Sequence, residues 1–184
     1  MESKKKIREI QIKRLAEMDP DNKTTQANII TQLLKESTIY FNAQKIALFW
    51  STELEIPTHN FIKDASKEKE IYLPTIGKNH HLIFRRYEEN QPMQIIQGIS
   101  EPMPSAVEIE PSKLDLIVVP GLTFSVINKF RLGFGGGYYD RILADYPGTT
   151  VSLVLNEQIV SDPSWPIESF DIPINYLYTT KGIY

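Results

Sequence analysis

The run Arg131-Leu132-Gly133-Phe134-Gly135-Gly136-Gly137-Tyr138-Tyr139-Asp140-Arg141 sets four glycines between two arginines, with a carboxylate close behind them. Its chemistry is that of an anion loop. Glycine lets successive backbone N–H groups converge on an anion with no Cβ in the way, and Arg131 adds a planar fork that is always charged. Tyr139, Ile142, Leu143 and Tyr146 follow at helical period, which sets the glycines at a helix N-terminus, where free N–H groups and the helix dipole favour phosphate. Asp140 then falls in the first turn, within reach of a magnesium ion that the phosphate carries. Close packing also selects glycine-rich turns before helices. The run is not a Walker A loop, since no Gly-Lys-Ser or Gly-Lys-Thr follows, and it departs from the Gly-x-Gly-x-x-Gly dinucleotide fingerprint. Alone it predicts an anion and no more.

Other residues are open to two readings. Asp171 lies between proline-rich turns, where it is either an ordinary turn aspartate or a partner for Asp140 in holding a hard cation. Glu55 follows an apolar run and is either a solvated loop charge or a carboxylate facing a ligand cleft. Trp50, Tyr138 and Tyr139 would stack a planar ring or fill the core. Lys4 and Arg8, four apart on a first helix, share a face distinct from its apolar stripe and are either a solvated cationic flank or further phosphate contacts. The histidines, His59 and the adjacent pair His80-His81, read as surface residues, because neighbours on a strand point to opposite faces and make poor metal ligands. No Gly-x-Ser-x-Gly elbow nominates a nucleophilic serine.

Composition narrows the classes. At 184 residues the chain suits one domain, 1–184, with a substantial core. A net charge of −3 speaks against a general nucleic-acid binder, so any anion site is local. Cysteine is absent, which excludes disulfides, thiolate metal sites and a cysteine nucleophile. No stretch approaches the roughly 18 apolar residues of a membrane span, and the polar N-terminal segment has no apolar signal region. The expectation is a soluble cytoplasmic protein without nucleic-acid or membrane partners.

The positioning elements follow from periodicity. Ile7, Ile10, Leu15 and Met18 form a helical stripe from Ser3, broken at Asp19-Pro20, and a second helix is capped by Thr24 or Thr25. Residues 45–50 are a continuous apolar run, the pattern of a strand covered on both faces. Thr58 caps a helix to about Lys69, and 70–76 is the next strand, closing a βαβ unit. Residues 81–87 form a further strand, and 88–111 is loop-rich. Residues 114–121 are the clearest buried strand and deliver the chain toward the glycine run, whose helix leads to a strand at 151–155, with a last one at 176–178. The fold class is α/β: one three-layer domain, a mostly parallel central sheet with helices on both faces, and the glycine loop at the carboxyl end of the sheet.

Taken in order, these pieces resemble the 5-formyltetrahydrofolate cyclo-ligase family, whose Arg-Leu-Gly-x-Gly-x-Gly-Tyr-Tyr-Asp-Arg signature corresponds to Arg131–Arg141. Supporting matches are Lys4-x-x-x-Arg8, Glu55-x-x-Thr58, Leu73-Pro74, Ile99-x-Glu101-Pro102 and Val119-Pro120-Gly121. The resemblance implies ATP-driven closure of 5-formyltetrahydrofolate to 5,10-methenyltetrahydrofolate, with release of ADP and phosphate and with Mg²⁺ as cofactor. It implies an ATP site of Lys4, Arg8, Arg131, Leu132, Gly133, Phe134, Gly135, Gly136, Gly137, Tyr138 and Tyr139, with Arg131 catalytic. It implies a folate site of Trp50, Glu55 and residues Phe134 to Tyr138, metal ligands Asp140 and Asp171, and a monomer. The alternatives are an ATP-dependent kinase or ligase on another small metabolite, and a folate- or nucleotide-binding module without turnover. One departure stands out: Phe124–Phe130 is one residue longer than the family pattern and lacks its glycine, so Asn128 is expected to supply the left-handed turn.

Overall fold

The computed structural model describes residues 2–77, 81–96 and 98–184. Helix α1 (Lys4–Ala16) is capped by Ser3, whose hydroxyl accepts from the Lys6 N–H. Helix α2 (Pro20–Lys35) starts earlier than its threonines suggest: Asp19 is the cap and Pro20 occupies the first turn, where its missing N–H costs nothing. The Asp-Pro pair that ends one stripe therefore opens the next helix. Helix α3 (Thr38–Asn42) leads into β1 (Lys45–Ala47), then α4 (His59–Ala65), β2 (Glu70–Ile76) and β3 (Leu82–Tyr87). Helix α4 stops at Ala65, short of Lys69, and the Thr58 hydroxyl does not cap it. It donates to Phe49 O at 2.6 Å and accepts from the Ser51 N–H, pinning the segment after β1.

The stretch at 88–111 is more ordered than its prolines imply. It holds an antiparallel pair, β4 (Met93–Ile96) and β5 (Ile99–Pro102), and a short edge strand β6 (Glu108–Ile109). After β7 (Leu116–Val118) the chain makes β8 (Thr123–Ser125) and β9 (Arg131–Leu132) before α5 (Tyr138–Leu143). Then come β10 (Thr149–Leu153), β11 (Ile159–Val160), β12 (Tyr176–Thr179) and β13 (Gly182–Ile183). The main sheet runs β13-β12-β10-β7-β1-β2-β3-β6. Its five central strands, β12 to β2, are mutually parallel, and β13, β3 and β6 pair antiparallel at the edges.

Alternation along the strands separates two apolar layers. Ile46, Ile71, Leu116 and Val118 pack with Ile30 and Leu34 of α2 and Phe61 and Ile62 of α4. Ala47, Tyr72, Ile117 and Val119 face the other way and pack with Leu143 of α5. Helices thus cover both faces. From β1 the chain steps to β2 on one side, whereas β7, β10 and β12 build outward on the other. The direction of winding reverses between β1 and β7, and a crevice opens there beyond the carboxyl ends of the strands. Both ladders end early at this point, β1 at Ala47 and β7 at Val118, because the two chains diverge to become its walls.

Candidate active site

The crevice is a cavity of about 670 Å³, within the usual range for a small-molecule site. Lys4, Arg8, Trp50, Glu55, the whole run Arg131–Asp140 and Asp171 all line it. Every residue nominated from the sequence is therefore brought to one place.

Arg131 reaches the cavity from β9 rather than from a loop, because a small sheet, β11-β8-β9, stands between β7 and the glycines. The β8–β9 turn is closed by Ser125 N–H to Phe130 O at 2.9 Å. Its left-handed residue is Lys129, at φ 57°, and not Asn128. The Lys129 N–H donates to Ser125 O, which puts the left-handed position one residue later than expected. Arg131 is only 6% exposed. Its Nη2 pairs with Asp140 Oδ2 at 3.2 Å, its guanidinium lies 5.9 Å from the Tyr139 ring centre, and its Nε has no partner among the described residues.

The glycines permit close approach. Gly135, at φ 109°, sits so near Arg8 that a Cβ would stand 3.3 Å from the guanidinium carbon, and Gly137 caps α5 at φ 64°. Neither conformation suits an L side chain. Arg8 Nε donates to Gly133 O at 2.8 Å, so α1 braces the loop directly. On α1 the inward stripe is Ile7, Gln11 and Leu15, while Ile10 is exposed. Lys4 and Arg8 continue that stripe, being one helical turn apart along it. They face inward rather than onto a solvated flank.

The two aspartates are tied to neighbouring backbone. Lys4 Nζ contacts both Asp171 oxygens, at 3.0 and 2.7 Å, and Asp171 Oδ2 accepts from the Glu168 N–H at 2.8 Å. Asp140 Oδ1 accepts from the N–H of Ile172, the residue after Asp171, at 3.2 Å. Both carboxylates line the cavity, Asp140 being held at the residue next to Asp171, and each is balanced by a side-chain cation. They are hard oxygen donors of the type magnesium takes, one or two per ion with phosphate oxygens completing the shell. Among the described residues no cluster of three His, Cys, Asp or Glu forms a self-sufficient metal site, so the donor set fits a cation that arrives with phosphate.

Elsewhere on the lining, Glu55 is 9% exposed and its Oε2 accepts from the N–H and hydroxyl of Thr52, at 2.8 and 2.9 Å. Burial pushes its carboxyl above the usual range, and the Thr52 hydrogen bonds pull the other way. Burial, with Glu55 adding to it, also raises the Tyr139 phenol. Trp50 stacks on His59 at 4.2 Å. His59 is therefore half-buried rather than free on the surface: its Nε2 lies 2.9 Å from Ser51 O, and burial lowers its pKa. His81 is exposed, and His80 lies outside the described residues.

Sequence reasoning missed a further part of the lining, made by Pro74, Ile76, Leu82, Ile99, Ser100 and Glu101. The signal was present in Leu73-Pro74 and Ile99-x-Glu101-Pro102, which matched a pattern without suggesting a role. It also missed Phe170, an exposed aromatic on the cavity rim whose ring lies 5.4 Å from Lys4 Nζ.

Comparison with known proteins points to one family. The sequence model described as the 5-formyltetrahydrofolate cyclo-ligase family matches residues 1–180. The chain is 33% identical to a 5-formyltetrahydrofolate cyclo-ligase of Haemophilus influenzae, over 72% of this chain and 73% of that protein. It is 28% identical to the Mus musculus 5-formyltetrahydrofolate cyclo-ligase, over 88% and 86% of the two chains. The NMR structure of Aquifex aeolicus 5,10-methenyltetrahydrofolate synthetase superposes with a TM-score of 0.87 at 26% identity, covering 98% of this chain and 91% of that one.

Proposed function

The chain belongs to the 5-formyltetrahydrofolate cyclo-ligase family, and from that premise we propose that this cavity carries out ATP-dependent closure of 5-formyltetrahydrofolate to 5,10-methenyltetrahydrofolate through the residues lining it. The observation that carries the reading is the convergence, in one crevice, of a cation-braced glycine loop, a pair of carboxylates and an aromatic-acidic wall.

A formyl oxygen is a poor leaving group. The reaction activates it: the formyl oxygen attacks the γ-phosphorus of ATP, ADP departs, and the carbon becomes an iminium phosphate. N10 of the folate then bonds to that carbon, the N10 proton is released, and the C–O bond breaks with loss of inorganic phosphate. Such chemistry needs positioning and charge neutralisation, with no protein nucleophile. The glycine loop from Arg131 to Tyr139 supplies N–H donors to the phosphates. Lys4 and Arg8 supply cations from α1, and the Arg131 guanidinium stabilises charge on the transferring phosphoryl group. Asp140 and Asp171 would hold Mg²⁺, which neutralises phosphate charge when bound. On the folate side, Glu55 accepts from pterin N–H groups, Trp50 offers a stacking face, and residues Phe134 to Tyr138 separate the two substrates.

The reading takes the chain as one domain, 1–184, acting as a monomer, with site residues drawn from Lys4 through to Asp171. The net charge of −3 supports an enzyme without nucleic-acid partners, and among the described residues no helix is long and apolar enough to cross a membrane. Small soluble substrates fit a cytoplasmic setting. The expected result with purified protein is the near-ultraviolet absorbance of the methenyl product when ATP, Mg²⁺ and 5-formyltetrahydrofolate are all present, and none when any one is omitted. Folded protein that yields no product from the complete mixture overturns the reading.

A further inference from the structure

We propose that Glu101 is a second folate-holding carboxyl, accepting a pterin N–H with the oxygen that has no partner among the described residues. The inference rests on the folate reading of the cavity and extends it to a residue outside the glycine loop and the β1 end.

Glu101 stands on β5, is 2% exposed, and lines the cavity. Its Oε1 accepts from the Ile76 N–H at 3.3 Å, which fixes the side chain against the end of β2. Its Oε2 is buried with no hydrogen-bond partner among the described residues. A purely structural carboxyl in an apolar wall would have both oxygens tied, since a buried acceptor left unpaired costs its full desolvation. The neighbouring cation does not close the gap. Arg85 commits Nη1 to Thr75 Oγ1 at 2.7 Å and Nη2 to Glu108 Oε1 at 2.6 Å, and its Nε is also without a partner among the described residues. Burial raises the Glu101 carboxyl, while the Ile76 N–H and the more distant Arg85 charge favour its ionised form. The missing partner is a donor that arrives through the cavity.

The reduced pterin has such donors on two edges, the 2-amino group with N3–H and the N8–H. The β1 and β2 strands are adjacent and parallel, with Ala47 beside Tyr72. Glu55, beyond the end of β1, and Glu101, packed on the end of β2, therefore flank one crevice from neighbouring strand ends. Ile76, Leu82 and Ile99 supply apolar contact for the ring between polar groups. Two carboxyls so placed would fix the ring at both edges, setting the formyl group toward the glycine loop.

Glu101→Gln tests the assignment, because the amide oxygen still accepts from Ile76 while its NH₂ presents a donor to the pterin donor. Calorimetry and steady-state assays are expected to show at least a tenfold rise in the Kd and KM for 5-formyltetrahydrofolate. The KM for ATP should stay within twofold, the inhibition constant of p-aminobenzoylglutamate, which lacks the pterin, should be unchanged, and Tm should shift by only a few degrees. Unchanged folate affinity overturns the proposal. So do equal losses for ATP and folate with a lowered Tm, which mark a structural role, or an equal loss for p-aminobenzoylglutamate. Wild-type turnover reports the parent reading separately: an inert wild type that still binds the folate, with an affinity that Glu101→Gln weakens, sinks that reading alone.

Discussion

Arg131 holds its charge where 6% of the residue meets solvent, and Asp140 answers it at 3.2 Å. Breaking a buried pair from one side costs on the order of 3–5 kcal/mol, so Asp140 supports both the resting loop and the proposed metal site. Asp140→Asn separates these roles, since the amide oxygen still accepts from Ile172 while the negative charge is gone. The expected protein folds with a lowered Tm, and calorimetry finds that Mg²⁺ no longer tightens ADP binding. An Asp140→Asn variant whose ADP affinity still rises with Mg²⁺ would remove Asp140 from the metal site. Arg131→Lys asks a different question, because it keeps the charge and gives up the fork. With a preorganised donor lost, kcat is expected to fall on the order of 10²–10³-fold in single-turnover assays, and a kcat within threefold of wild type would deny Arg131 its catalytic part.

Helix α1 delivers Lys4 and Arg8 only if it is held against β9, and the clamp is Trp165. Its side chain is 1% exposed and packs with Ile7 of α1 and Leu132 of β9, while Glu2 N–H donates to Ser164 O beside it. Trp165→Ala should destabilise the fold by about 3–5 kcal/mol and raise the KM for ATP more than that for the folate. Trp165→Phe should be milder, since the indole N–H it removes has no partner among the described residues. Urea melts beside the two KM values check both, and an Ala variant with equal KM changes would show that α1 is not held by this contact. Trp165 was invisible in the sequence because it sits among prolines with no periodicity around it. Elements with a strong local pattern were legible: β2 spans the expected 70–76, and α5 follows the glycines. What escaped detection was set by distant partners. Lys129 takes the left-handed turn, its N–H donating to Ser125 O, and Ile10 is exposed because α1 turns its Ile7, Gln11 and Leu15 stripe inward. The glycine signature, with both aspartates and Glu55, was readable because each bears its chemistry in its own type. The Ile76–Glu101 wall was not, for it exists only once β5 folds onto β2.

At the scale of the whole molecule, the reversal of winding between β1 and β7 gathers segments from across the chain into one crevice, and that crevice takes a stability cost at neutral pH. Burial raises the Glu55 carboxyl above its ordinary range. A carboxyl that binds its proton more tightly when folded contributes its stabilisation in full below the unfolded value of about 4.3, and loses it as pH rises through the higher native value. Glu55→Gln removes that titration while retaining an acceptor for the Thr52 N–H. The variant's advantage in urea melts should be smallest near pH 4, grow through the acidic range, and level off once the native carboxyl is ionised. Glu101, raised by the same cause, is present in both proteins and largely cancels in the difference. A stability difference that is flat with pH, or that grows toward acid, would show that Glu55 is not held against its charge. Over the same range the variant should bind 5-formyltetrahydrofolate more weakly than wild type, because the charge that strains the empty cavity is the one a pterin N–H donor satisfies.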